Sequence, residues 1–217
     1  MIRPITAMLC LAAASSSPAA PPQLQAAAAP GLALDTAWAD RKAWADVPSV
    51  TLRGVGGAAA PSELRARWNQ TAVFFEFLCR DDSVVSPGER DGLDHFRLGD
   101  VVEIFLGRTG EPAYAELHAT PAGRKTAYAF SGYRKASAPS EGGEVRSGPI
   151  EGGWRAVLSI PWKSLQGAPG DGSWEFLAGR YDYDKPGGKP VLSSFPAQTG
   201  KPDFHARERY ARLALRP

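Results

Sequence analysis

Apolar residues in this chain come in short runs that alternate with polar ones and stop at glycine or proline. Gly153-Trp154-Arg155-Ala156-Val157-Leu158-Ser159-Ile160 alternates and ends at Pro161. Leu98-Gly99-Asp100-Val101-Val102-Glu103-Ile104-Phe105-Leu106 is rich in β-branched and aromatic residues around one central acid. A period of two is the mark of a strand, whose successive side chains point to opposite faces. Ser62–Trp68 and Ala72–Arg80 read as two strands joined by the polar turn Asn69-Gln70-Thr71. Further strands are expected at 99–106, 113–119, Lys125–Phe130, near Glu144–Ser147, at 153–160, 173–182 and 208–215. Leu34–Trp44 reads as an edge segment plugging the sandwich, and Trp162–Leu165 as a single helical turn after Pro161. No internal repeat is evident. About ten short strands with at most one short helical turn predict an all-β fold, an antiparallel β-sandwich or jelly roll.

Length and composition agree with that. A chain of 217 residues suffices for one domain with a substantial core. Its 23 glycines and 19 prolines favour strands joined by turns over long helices. Against 23 acidic residues stand 25 basic ones, and no basic block stands out, so neither nucleic acid nor an anionic membrane is indicated as a partner.

The N-terminus reads as a targeting segment. Met1-Ile2-Arg3 is basic, Ile5–Ala14 is apolar and Ser15–Ala20 is rich in small residues, the layout of a secretory signal peptide over 1–20. The apolar run is too short to span a bilayer, and no later segment is long enough. Cys10 lies inside that run without a small residue before it, so lipidation is not expected. Residues 21–30 read as a flexible lead-in, and the folded module as 31–217. The expected location is secreted or periplasmic. Cys79 would be the one cysteine left after cleavage, without an internal disulfide partner, and its apolar strand makes it a small buried hydrophobe.

Polar residues within strands are the candidate chemistry. Glu103 lies mid-strand, Glu116 and His118 share a face two residues apart, and so do Arg180 and Asp182. Such groups can be the solvated face of a sheet or the lining of a pocket. Arg180 offers a partner for a Glu103 otherwise buried alone. Two facing carboxylates are also what a glycosidase needs, whereas no Gly-x-Ser-x-Gly turn supports a serine triad. The charged loop with Asp81, Asp82 and Asp91 supplies hard oxygen ligands of the kind calcium takes, without EF-hand spacing. Trp38, Trp44, Trp68, Trp154 and Trp174 read as core, while Trp162 could be partly exposed.

Several segments in order carry a resemblance. They are Leu34-Asp35-x-x-Trp38, the 68–81 hairpin, Gly99-Asp100-Val101-Val102-Glu103-Ile104-Phe105, and Tyr114-x-Glu116-x-His118-x-x-Pro121-x-Gly123. Trp154 to Pro161-Trp162, Trp174-x-Phe176 to Arg180, and Phe204-His205 to Leu215 complete the set. Together they resemble the family 9 carbohydrate-binding modules and the wider group of sandwiches that includes the DOMON domains. The resemblance implies a jelly-roll sandwich that binds a carbohydrate between two aromatic rings. It carries the family's strand acid onto Glu103 and its neighbouring polar pair onto Glu116 and His118, where sugar-binding members tend to have Arg and Asn. The clamp tryptophans fall on Phe96 and Phe204, whose smaller rings stack more weakly. Structural calcium is common among such relatives. Haem occurs in the wider group with a methionine ligand, but here both methionines lie in the signal segment, so a haem would need pairs among His95, His118 and His205. The expected function is therefore a secreted, non-catalytic carbohydrate-binding protein with a pocket lined by Phe96, Glu103, Glu116, His118, Arg180 and Phe204. The alternatives are an adaptor sandwich with a buried Glu103–Arg180 pair and no ligand, a glycosidase-associated activity, or a haem-binding redox domain.

Overall fold

The computed structural model describes residues 20–86, 88–139, 142–170 and 172–217. Almost all of the expected signal segment thus lies outside the described residues.

Among the described residues there are thirteen strands. They are β1 (Gln23–Ala28), β2 (Val50–Gly54), β3 (Ser62–Trp68), β4 (Ala72–Arg80), β5 (Val101–Arg108), β6 (Tyr114–Ala119) and β7 (Lys125–Phe130). After these come β8 (Ala136–Pro139), β9 (Glu144–Ile150), β10 (Gly153–Pro161), β11 (Trp174–Asp182), β12 (Val191–Phe195) and β13 (Ala211–Arg216). Hydrogen bonding runs in the order β8-β7-β6-β5-β11-β12-β2-β3-β4-β10-β9, and β13 and β1 bridge β11 to β3. The path doubles back into a sandwich. Val102, Ile104 and Leu106 of β5 and Trp174, Phe176 and Ala178 of β11 face Val73, Phe75 and Phe77 of β4 and Trp154, Ala156 and Leu158 of β10 in one core. Burying each large apolar side chain there contributes about 1.5–3 kcal/mol.

Local chemistry explains the hairpin at 69–71. Asn69 Oδ1 accepts hydrogen bonds from the Thr71 and Ala72 amides and from the Thr71 hydroxyl, so one side chain closes the turn between β3 and β4. Cys79 is buried as expected, and burial pushes its thiol up to about 12, which keeps it inert. Trp44, Trp154, Trp162 and Trp174 are fully buried, while Trp38 and Trp68 pack against the core edge.

Four expectations need correction. The lead-in at 21–30 contains strand β1, which pairs in parallel with β13 and β3 and buries Leu24 and Ala26. Its run of small residues looked structureless because strand pairing with distant partners leaves no local trace. The segment at 34–44 is helical, with α1 (Leu34–Ala39) followed by a 3-10 turn at Arg41–Trp44. Two further 3-10 turns, at His95–Arg97 and Arg207–Arg209, exceed the single helical turn expected. Strands β1, β2, β8 and β12 raise the count above ten; all four are short, so alternation over so few residues was not distinctive.

Helix α1 explains a polar pair in the middle of otherwise apolar strands. Arg155 Nε donates to Glu76 at 2.7 Å, and its two Nη groups donate to the Trp38 and Ala37 carbonyls. The guanidinium thereby ties the helix to the outer face of β4 and β10.

Candidate functional site

The outer face of β5, β6 and β11 holds the candidate site. Register sets Glu103 opposite His118 on β6 and Gly179 on β11, and Phe105 opposite Glu116 and Leu177. Glu103, Phe105, Glu116, His118, Gly179 and Tyr181 therefore share one face. The phase of alternation around Glu103 matches the sequence reading.

His118 Nε2 hydrogen-bonds the Glu116 carboxylate and stands 3.3 Å from Glu103 Oε1. All three side chains are buried. Burial disfavours the imidazolium, but the carboxylates of Glu103 and Glu116 outweigh it and hold His118 up at about 9. Burial also pushes the Glu103 carboxyl up to about 8, reinforced by Glu116 and opposed by His118. The Glu103 carboxyl and the His118 imidazole thus titrate as a coupled pair.

Above this floor opens a cavity of about 230 Å³. Glu103 and Glu116 reach it from below; Phe96, Phe105, Tyr181 and Phe204 form its walls; Arg97 and Arg134 stand at its rim. A larger hollow of 660 Å³ beside Leu34, Phe74 and Trp162 has Lys163 as its one charged lining group. The smaller cavity is the better site because converging polar groups, more than size, give a pocket orientation and specificity.

The rim is built by two loops that lock onto each other. Arg134 adopts a left-handed backbone with φ +52°, uncommon for a side chain of its size. From there its Nη2 bonds Asp203 Oδ1 at 3.0 Å, while the Tyr133 hydroxyl donates to Asp203 Oδ2 at 2.6 Å. Burial works against ionisation of Asp203, yet the hydrogen bonds from Tyr133 and Arg134 win and hold it below the usual carboxylate range.

The expected residues separate into two groups. Phe96, Glu103, Glu116 and Phe204 line the cavity, with His118 directly beneath. Phe204, however, is not a solvent-facing clamp. Phe204 is 6% exposed and packs against Phe105 and Tyr181. Phe96 is half-buried against Tyr181, with the Arg97 guanidinium 5.3 Å over its ring.

Arg180 does not belong to this site. It pairs with Val102 in the register, so it points to the inner face of the sandwich, away from Glu103. There its Nη2 bonds Asp81 and Asp182, each at 2.9 Å, and its Nη1 bonds Ser62 Oγ and the Arg80 carbonyl. The buried Glu103–Arg180 pair is therefore not formed.

The calcium expectation changes as well. Asp82 and Asp91 are exposed and do not converge with Asp81, whose cluster instead comprises Asp100 and Asp182. Asp100 accepts from the Val85 and Tyr183 amides, and burial pushes it up to about 7 despite those bonds. The Arg180 guanidinium fills the place between Asp81 and Asp182 that a cation would take, so this cluster does not fit calcium. A haem pair fits no better among the described histidines. His95 is bound to Thr126 and the Arg90 carbonyl, His118 to two glutamates, and His205 to the Tyr114 hydroxyl.

Tyr181, Phe105 and Arg134 were not singled out as site residues from sequence, and His205 only as a possible haem ligand. Strand alternation placed Phe105 on the face of Glu103, which was the available clue. Tyr181 and Arg180 are neighbours, and only the cross-strand register decides which of them faces Glu103.

Fold and site together define a largely antiparallel β-sandwich with an acid-floored, aromatic-walled pocket on one sheet face. No protein-family model and no curated protein matches the sequence significantly. Solved structures do match in fold. A candidate carbohydrate-binding protein from Bacteroides uniformis superposes with a TM-score of 0.76 at 14% identity, over 91% of this chain and 100% of its own. A family 9 carbohydrate-binding module from Caldicellulosiruptor kristjanssonii in complex with glucose gives 0.68 at 12% identity, over 89% of this chain and 95% of its own. A family 9 carbohydrate-binding module from the same organism in complex with cellotriose gives 0.63 at 12% identity, over 89% of this chain and 93% of its own. The chain has the fold of these modules.

Proposed function

We propose that this is an exported, non-catalytic carbohydrate-binding protein that holds a saccharide in the Glu103–Glu116 pocket. The observation that carries the reading is the composition of that pocket: two carboxylates to accept hydroxyl protons, two guanidinium groups to donate, and aromatic walls, gathered on one sheet face. The shared fold with modules that hold glucose and cellotriose supports it. Export rests on the basic, apolar and small-residue order of the first twenty residues; no helix among the described residues is long and apolar enough to cross a membrane.

The carboxylate geometry supports binding over hydrolysis. A glycosidase places its two carboxyl groups on either side of the scissile bond. Glu103 and Glu116 rise from neighbouring strands on one face and converge on the same imidazole.

A glycan array probed with the purified protein in the presence of a metal chelator tests the proposal. Binding to a saccharide class, weakened more than about tenfold in Glu103→Gln and Arg134→Gln proteins that keep the wild-type circular dichroism, is the expected result. Silence across plant, bacterial and host glycans overturns it.

A further inference from the structure

The pocket floor also has the donor set of a metal site. Glu103, Glu116 and His118 each offer one ligand atom, and these atoms all lie within 4.8 Å of one another. First-row divalent ions sit about 2.0–2.2 Å from imidazole nitrogen and carboxylate oxygen. Neighbouring ligand atoms on one ion therefore stand roughly 3–3.5 Å apart for tetrahedral or octahedral angles. His118 Nε2 and Glu103 Oε1 are 3.3 Å apart, within that range.

A second observation comes from Glu116 itself. Its residue is 6% exposed, yet among the described residues its Oε2 has no hydrogen-bond partner, and its side chain lines the cavity. A shielded carboxylate oxygen without a donor is costly. An ion on the floor would satisfy it. The donors are held rigidly, since Glu103 and His118 are directly cross-strand and Glu116 shares a strand with His118.

We propose that Glu103, Glu116 and His118, through Nε2, bind one divalent transition-metal ion of the zinc class. Two carboxylates match the ion's charge. The imidazole favours zinc over calcium or magnesium, which take oxygen ligands. Because both carboxylates border the cavity, the ion keeps open positions toward it, where water or ligand hydroxyls complete the shell. The inference needs only these three side chains and stands independently of the saccharide reading.

Calorimetric titration of the chelator-stripped protein with zinc chloride tests it. One equivalent is expected to bind, with affinity falling more than about tenfold in Glu116→Gln and in His118→Gln, both checked for folding by circular dichroism. X-ray absorption at the zinc edge of the wild-type protein supplies a readout that needs no variant, and should report one imidazole among oxygen donors. Absence of stoichiometric uptake, uptake unchanged in both variants, two imidazoles at the ion, or preferential uptake of calcium would each overturn the proposal. Saccharide binding is read separately with chelator present, so the two readings fail independently.

Discussion

Phe204 packs directly on the backbone of Gly179: a Cβ built on that glycine would meet the ring's Cε2 at 2.7 Å. Gly179 in turn lies opposite Glu103 in the sheet, so the missing side chain lets the ring border the pocket floor. Gly179→Ala is expected to displace the ring and cost about 1–3 kcal/mol, the usual range for overpacking. Phe204→Ala is expected to cost about 3–5 kcal/mol, as for a core aromatic. Denaturant titration of both checks this. A loss under 1 kcal/mol for Phe204→Ala together with lost saccharide binding would instead make the ring a solvent-facing clamp.

Arg180 is the buried counter-charge of Asp81 and Asp182. Arg180→Leu leaves two carboxylates without their cation and is expected to cost about 3–5 kcal/mol. Saccharide and zinc binding by the folded protein should be unchanged, because the guanidinium points away from the pocket. Wild-type stability with impaired binding would show that Arg180 acts at the pocket after all.

Strand β1 should contribute to stability in the way a flexible leader could not. Leu24 is buried in the main core, so Leu24→Ala is expected to cost about 2–5 kcal/mol. Amides paired with β3 and β13 in residues 23–28 should exchange slowly with deuterium. Rapid exchange across the segment would contradict the pairing.

The floor gives a pH dependence with a definite sign. His118 holds its proton up to about 9 against an ordinary value of 6.5, and Glu103 up to about 8 against 4.5. In both cases the folded state binds the proton more tightly than the unfolded state. The stabilisation from His118 is complete below pH 6.5 and disappears as pH rises through 9; that from Glu103 is complete below 4.5 and disappears through 8. His95 and His205, which burial pulls down, act in the opposite sense only below about 6.5. Thermal melts in chelator should therefore fall in Tm between pH 6.5 and 9. Glu103→Gln should flatten that slope, since it removes one titrating group and one of the carboxylates that raise His118. A Tm that rises over this window refutes the assignment.

Much of the site was legible because it depends on the period of a strand. Glu103, Glu116 and His118 were placed on strand faces by counting alternate residues, and the structure puts all three on one face. Arg180 failed for a related reason. Alternation separates Arg180 from Tyr181 but does not say which of the two shares a face with a residue on another strand. That choice belongs to the register, in which Gly179 stands opposite Glu103. The phenylalanines both line the cavity, but Phe204 is buried where flanking charges and turns suggested exposure, because its ring packs inward against Phe105 and Tyr181.

The all-β class, the 69–71 hairpin, the burial of Cys79 and the grouping of β5 and β6 residues by face are all legible in the sequence. Each follows from interactions among residues close in the chain: side-chain alternation, turn capping and apolar content. Long-range packing sets the rest: Gln23–Ala28 is a strand between β3 and β13, Arg180 serves Asp81 and Asp182, and Arg134 meets Asp203 at the pocket rim. These depend on which distant segments become neighbours when the sandwich doubles back. Pairing energy of that kind comes from burial and charge compensation between residues about a hundred positions apart, as between Arg180 and Asp81, and no local pattern encodes it.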